Sequence, residues 1–253
     1  MIGLVLRKEL LELRRSPVLL LSMASLPATV VAVPVALLAW LVHAAPEQAL
    51  AFAQDVYGLH ERDPALGVAA VLARNWLPMF LVLPIFLPIL LAAQSIGGER
   101  ERRTLEPLLA TPVSTLSIIL GKSIAALVPA MLITWVAAAL FCAGIDLVVG
   151  RALLPDGAWL FGTLALSPLL ALFGNATAVV VSSRVVDPRA AQNLAATTVL
   201  PLLGLLVVQL AGRIALGPQF YLALALGVAV ADVALVALAV RLFDRERLLT
   251  RWR

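Results

Sequence analysis

The chain has 253 residues, 62% of them hydrophobic and only 13% charged, with a mean hydropathy of +1.02. A soluble domain carries about 25% charged residues; so little polar surface cannot cover a globule in water, which excludes a soluble enzyme and makes lipid the expected solvent. The net charge of +4 does not point to nucleic acid, because the cations fall at the ends of apolar runs rather than in one patch.

Residues 1–16 read as an interfacial amphipathic helix. Ile2, Leu6, Leu10 and Leu13 repeat at helical spacing, while Lys8, Glu12 and Arg15 line the opposite side. Its leucines would lie among acyl chains and its arginines among headgroups. A simple anchor and a helix that also touches a cytoplasmic partner both remain open. The first span follows at 17–44. Val42-His43-Ala44 has the form of a signal cleavage site. The apolar run before it exceeds the about 7–15 residues of a signal core, and Glu9 and Glu12 precede it, so the span is read as retained. The next segment, 45–75, reads as two short helices on the outer side. Asp63 caps the second and Pro64 stands in its first turn. It serves either as a lid or as a solvated connector.

Span two, 76–97, contains Pro78, Pro84 and Pro88, which kink a membrane helix rather than end it, because neighbouring helices satisfy the freed carbonyls. The loop after it, 98–117, is the most informative stretch. Glu99, Arg100, Glu101, Arg102, Arg103 and Glu106 form a charged run, and Leu105, Leu108 and Leu109 an apolar edge. Thr111-Pro112 ends that helix, and Ser114 or Ser117 can cap the next. A bare connector needs only a few residues, so an amphipathic helix here suggests docking, with a solvated hairpin as the plain alternative.

Span three, 118–145, begins around Leu120-Gly121-Lys122-Ser123, which ends like a phosphate-binding loop. The first glycine of that motif is replaced by Leu116 and no strand precedes it. Lys122 is therefore read as snorkelling to the inner interface. The single cysteine, Cys142, sits in this span, so no disulfide framework or metal pair exists. Span four, 159–181, contains Asn175-Ala176-Thr177, a glycosylation sequon discarded because it is inside the membrane. Asp187-Pro188 in the loop 182–193 starts a helix leading into span five, 194–212. Span six, 220–240, carries Asp232 about 13 Å from Arg241, near mid-membrane. An acid there costs about 2.5–3.5 kcal/mol on insertion scales and must face the bundle interior or water. It is either a cation or polar lining site, or a packing residue meeting Gln209, Asn175 or Thr177.

With the N-terminus inside, the inner segments hold fifteen of the nineteen Lys and Arg. Only Arg62, Arg74, Arg151 and Arg213 fall outside. The excess of inner cations places the two termini in the cytoplasm, and the even span count agrees by requiring both on one side. No GxSxG, HExxH or paired Cys/His cluster is present, and the two histidines, His43 and His60, lie near the outer face. The expectation is an all-α polytopic membrane protein over 1–253, with no enzyme activity, no metal and no cofactor of its own.

Three segments together resemble the permease subunits of ATP-binding-cassette (ABC) transporters of the type-2 exporter class, especially the sodium- and drug-efflux-like branch. They are Arg7-Lys8-Glu9-Leu10 with Arg14-Arg15-Ser16-Pro17, the run GERERRTLEPLLATPVSTLSIILGK at 98–122, and SSRVVDPRAAQN at 182–193. The resemblance implies that the N-terminal helix and first inner loop dock on a separate ATPase subunit through Glu99, Glu101, Arg103, Thr104, Leu105 and Glu106. It implies ATP and Mg on that partner, a second permease chain (the same or a different one), a plasma or inner membrane location, and export by alternating access. Two departures from the family pattern are the short outer connection 213–219 and the small outer segment between spans one and two. They leave the substrate unassigned. The other readings are a secondary carrier or channel using Asp232, with Asn175 and Gln209 along its path, and a membrane anchor for a non-transport ABC complex.

Overall fold

The computed structural model describes residues 16–48, 63–101, 115–185, 187–210 and 216–242, with isolated positions 3, 7, 8, 11 and 51. Among the described residues six helices are long and apolar enough to cross a membrane: Pro17–Ala44, Ala65–Ser95, Leu120–Val149, Gly157–Ser182, Pro188–Gln209 and Pro218–Leu242. They are spans one to six below. The described part of the chain contains no strand. Only scattered positions of the N-terminal helix expected at 1–16 are described, and the rest of that expectation lies outside the described residues.

Span two differs most from the sequence expectation. Asp63 does cap a helix, accepting the Ala65 amide at 3.0 Å, and Pro64 stands in its first turn. That helix is not a short outer element. It runs Pro64–Phe80, turns once at Leu81 and continues as Val82–Glu101. The polar pair Arg74-Asn75, which suggested a boundary, is tolerated mid-helix because Asn75 Nδ2 donates to Val71 O at 2.9 Å. Leu66, Val68, Ala69, Val71 and Ala73 are buried, so this stretch is core rather than connector. Span five likewise begins earlier than 194, at Pro188, where Asp187 accepts the amides of Arg189 and Ala190.

Prolines explain much of the hydrogen bonding between spans. A proline has no N–H, so the carbonyl four residues before it loses its helical donor. Pro34 frees Val30 O, which accepts Trp76 Nε1 at 2.8 Å. Pro78 frees Arg74 O, which accepts Gln209 Nε2 at 3.2 Å. Pro201 would free Thr197 O, but the local 3₁₀ turn Thr197–Val199 lets the Leu200 amide take it. In span four the segment Phe161–Leu166 is a π-helix, and the Ser167 amide bonds Gly162 O. Thr163 O would then need the amide of residue 168, which is Pro168. It accepts Trp135 Nε1 at 2.8 Å and the Ser167 hydroxyl instead. In lipid each such carbonyl would otherwise go without water.

Span two is the centre of the bundle and packs against spans one, three, four and five, while span six packs chiefly on span four. Spans two and four approach closely at Gly174, where a Cβ would lie 2.2 Å from Ile85 O. A small residue there lets the two backbones meet. Trp159 anchors the other end of this interface, stacked on Phe141 at 4.7 Å and tilted against Phe80 at 5.4 Å. Val18, Leu21, Trp40, Val207, Leu226, Val230 and Val233 are exposed on spans one, five and six, apolar faces suited to lipid or to another membrane helix.

Candidate functional site

The helices alternate in direction, so the bundle has two ends, one marked by Lys122 and the other by Asp156. At the Lys122 end, span two finishes at Glu101. Glu99 and Glu101 therefore lie on its last turn. Arg103, Thr104, Leu105 and Glu106 lie outside the described residues, as does the rest of the expected docking helix. The stems of that segment are tied together. Lys122 Nζ donates to Ser95 Oγ at 2.9 Å and to Ser95 O at 3.3 Å. Lys122 is 4% exposed, which corrects the snorkelling expectation. The ammonium turns inward because the end of span two offers it two oxygens.

Asp232 is 3% exposed, and neither carboxylate oxygen has a hydrogen-bond partner among the described residues. It belongs to the stripe Tyr221, Ala225, Val228, Asp232, Ala239, which is the buried face of span six. Ala239 packs on Val179 of span four, and these two spans run in the same direction. Counting seven residues back on both brings Asp232 level with Leu172, on the face that points at span four. Asn175, one turn before Val179, shares that face and lies about 4.5 Å along the axis from the level of Asp232. Its Oδ1 is also buried without a partner. Thr177 faces another side of span four. Its hydroxyl has no partner either, whereas Thr29, Thr134 and Thr163 bond a carbonyl of their own helix.

Gln209 is not part of this group. It holds the carbonyl of Arg74 near the Asp156 end, about 20 Å along the axis from Asp232. Sequence reading placed the three together because all are polar residues in apolar runs, and depth along a helix was the missing information.

The Asp156 end contains a pocket of about 420 Å³ that the sequence reading did not foresee. Arg74, Asp156 and Tyr221 line it, together with Leu77, Leu154 and Trp159. Asp156 caps span four, its Oδ1 accepting the Trp159 amide at 2.8 Å. One wall is the connection after span three, where Gly150 adopts a φ of +78° and ends the helix. Asp146 Oδ1 then accepts the amides of Leu153 and Leu154 at 2.8 and 3.0 Å, fixing that wall. The signal in the sequence was the placing of Arg74 and Asp156 beside apolar runs, although nothing in it brought them together.

No group of three or more His, Cys, Asp or Glu among the described residues is placed to hold a metal ion. In comparison with known families, residues 4–220 match the ABC-2 family transporter protein. No curated protein matches the chain.

Proposed function

Because the chain belongs to the ABC-2 transporter family, we propose that it is the exporting permease of a pump whose ATPase subunits are separate chains. Membership makes it a multi-pass, non-catalytic ABC permease, with ATPase activity in partner subunits, and it replaces the reading as a nucleotide-independent carrier or channel. The finer assignments are the sodium- and drug-efflux-like branch, export by alternating access, a second permease chain, and Mg-ATP on the partner. Both termini face the cytoplasm of a plasma or inner membrane, with residues 1–16 lying in its surface.

The observation that supports this reading is the end of span two at Glu101, inside the charged run that the sequence carries at 99–106. That run continues directly from span two, which touches four other spans, and its stems are joined by Lys122 and Ser95. Motion delivered by an ATPase at 98–117 therefore enters the helix best connected to the rest of the bundle. Asp232 and Asn175, on the facing sides of spans six and four, are assigned to the translocation path between them. Co-purification with the ATPase tests the docking role. Glu99→Lys and Leu105→Ala should each weaken the complex, the charge reversal by about 30-fold or more if the pair is buried. Full retention of partner and ATP turnover in both variants would refute it.

A further inference from the structure

The pocket at the Asp156 end holds two opposite charges that do not meet. Arg74 and Asp156 both line it, yet neither forms an ion pair among the described residues. The backbone at Arg74 and one oxygen of Asp156 are held by other bonds. The turn carrying Arg74 is gripped through two successive carbonyls, Ala73 O by Trp159 Nε1 at 3.1 Å and Arg74 O by Gln209 Nε2 at 3.2 Å. Asp156 spends one oxygen on the Trp159 amide, leaving the other for a different donor. Tyr221 also lines the pocket and is 4% exposed, and its hydroxyl has no hydrogen-bond partner among the described residues.

The remaining surface is apolar and preformed, since Asp146 pins the Leu153-Leu154 wall. A pocket of about 420 Å³ falls in the usual range for small ligands, which are held by apolar walls and a few placed polar groups. A ligand of single charge would satisfy one of the two ions and strip water from the other, which costs binding energy. A ligand carrying both charges satisfies both, and the fixed walls reduce the ordering cost. We infer that this pocket binds a phosphoethanolamine-type zwitterion, free or as the head of an amphiphile. Its anionic group sits at Arg74 and Tyr221 and its ammonium at Asp156, and the apolar part of an amphiphile lies against Leu77, Leu154 and Trp159. Two sources share that chemistry: a membrane phospholipid with a phosphoethanolamine head, and a soluble zwitterion.

The inference does not rest on the exporter reading, because binding rather than transport is measured. The full chain, in nanodiscs of phosphatidylglycerol, is titrated calorimetrically with short-chain lysophosphatidylethanolamine below its micelle concentration. Parallel arms use soluble phosphoethanolamine and lysophosphatidic acid, which lacks the ammonium. Arg74 and Asp156 are exposed, and asparagine caps a helix as well as aspartate, so Arg74→Gln and Asp156→Asn leave the fold intact. Each should weaken lysophosphatidylethanolamine about tenfold or more. Only Arg74→Gln should weaken lysophosphatidic acid. Binding confined to the acylated ligand identifies the lipid source. Comparable binding of phosphoethanolamine, with the same dependence on both residues, identifies the soluble one. The inference is overturned if neither zwitterion binds, if both variants bind like the parent chain, or if lysophosphatidic acid binds as tightly as the zwitterion.

Discussion

Replacing Gln209 by leucine separates two roles that a polar residue in a span can have. Its Nε2 fills the gap that Pro78 leaves at Arg74 O, and Gln209 is 3% exposed. Loss of the donor leaves a carbonyl without its partner, which costs about 1–3 kcal/mol in proteins generally. Hydrogen bonds between membrane helices average only about 0.6 and reach about 1.7 kcal/mol, so about 1 kcal/mol is expected here. At this chain length that lowers the unfolding midpoint by about 2–4 °C. The single cysteine, Cys142, is buried, so a thiol-reactive dye reports unfolding of the detergent-purified protein. The deciding experiment adds Pro78→Ala, which supplies a backbone N–H to Arg74 O within span two. In that background Gln209→Leu should cost nothing, or should stabilise, because it also removes Oε1, which is buried without a partner among the described residues. An equal loss in both backgrounds would refute the argument, since the glutamine would then not be replacing the missing proline donor.

Gly174→Ala should lower the same midpoint more than Gly204→Ala. The first Cβ would meet Ile85 O at 2.2 Å and the second meets nothing within 4 Å. Overpacking of this kind costs about 1–3 kcal/mol, and equal midpoints would count against the close approach of spans two and four. Asp232→Asn keeps shape and hydrogen bonding while removing the ionisable group. Transport should fall with expression and ATPase assembly intact, and unchanged transport would make Asp232 a packing residue. Cysteine labelling in intact cells should reach positions 60 and 151 from outside and positions 103, 187 and 250 only after permeabilisation. Outside labelling at 103 would reverse the proposed orientation.

The spans were readable because lipid imposes one rule on every residue in the hydrocarbon layer, and that rule acts locally. Long apolar runs must be helices, and the caps at Asp63-Pro64 and Asp187-Pro188 were legible for the same reason: a cap is formed by residues adjacent in sequence. The error in span two came from the opposite situation. Arg74 and Asn75 look like the edge of a membrane segment, and they stay in the helix only because Val71 O, Gln209 and the pocket receive them. None of those partners can be inferred from the run 64–75 alone.

Sequence by itself determined that this chain is a helical multi-pass membrane protein with six runs long and apolar enough to span, and its motif at 98–122 pointed to the ABC permeases. Both properties reside in composition and in contiguous residues. Tertiary structure alone decided which polar residues share a site. Lys122 turns inward because Ser95 is 27 positions away in sequence yet 2.9 Å away in space. Gln209 is set apart from Asp232 because its donor goes to a carbonyl freed 135 positions earlier. Arg74, Asp156 and Tyr221 come from three separate segments and meet only where span two passes the ends of spans four and six. A helix reports its own periodicity and termini, but its depth and rotation against its neighbours are set by packing, here by Gly174 on Ile85 and Ala239 on Val179. Those contacts between distant residues leave no periodic trace in a single sequence.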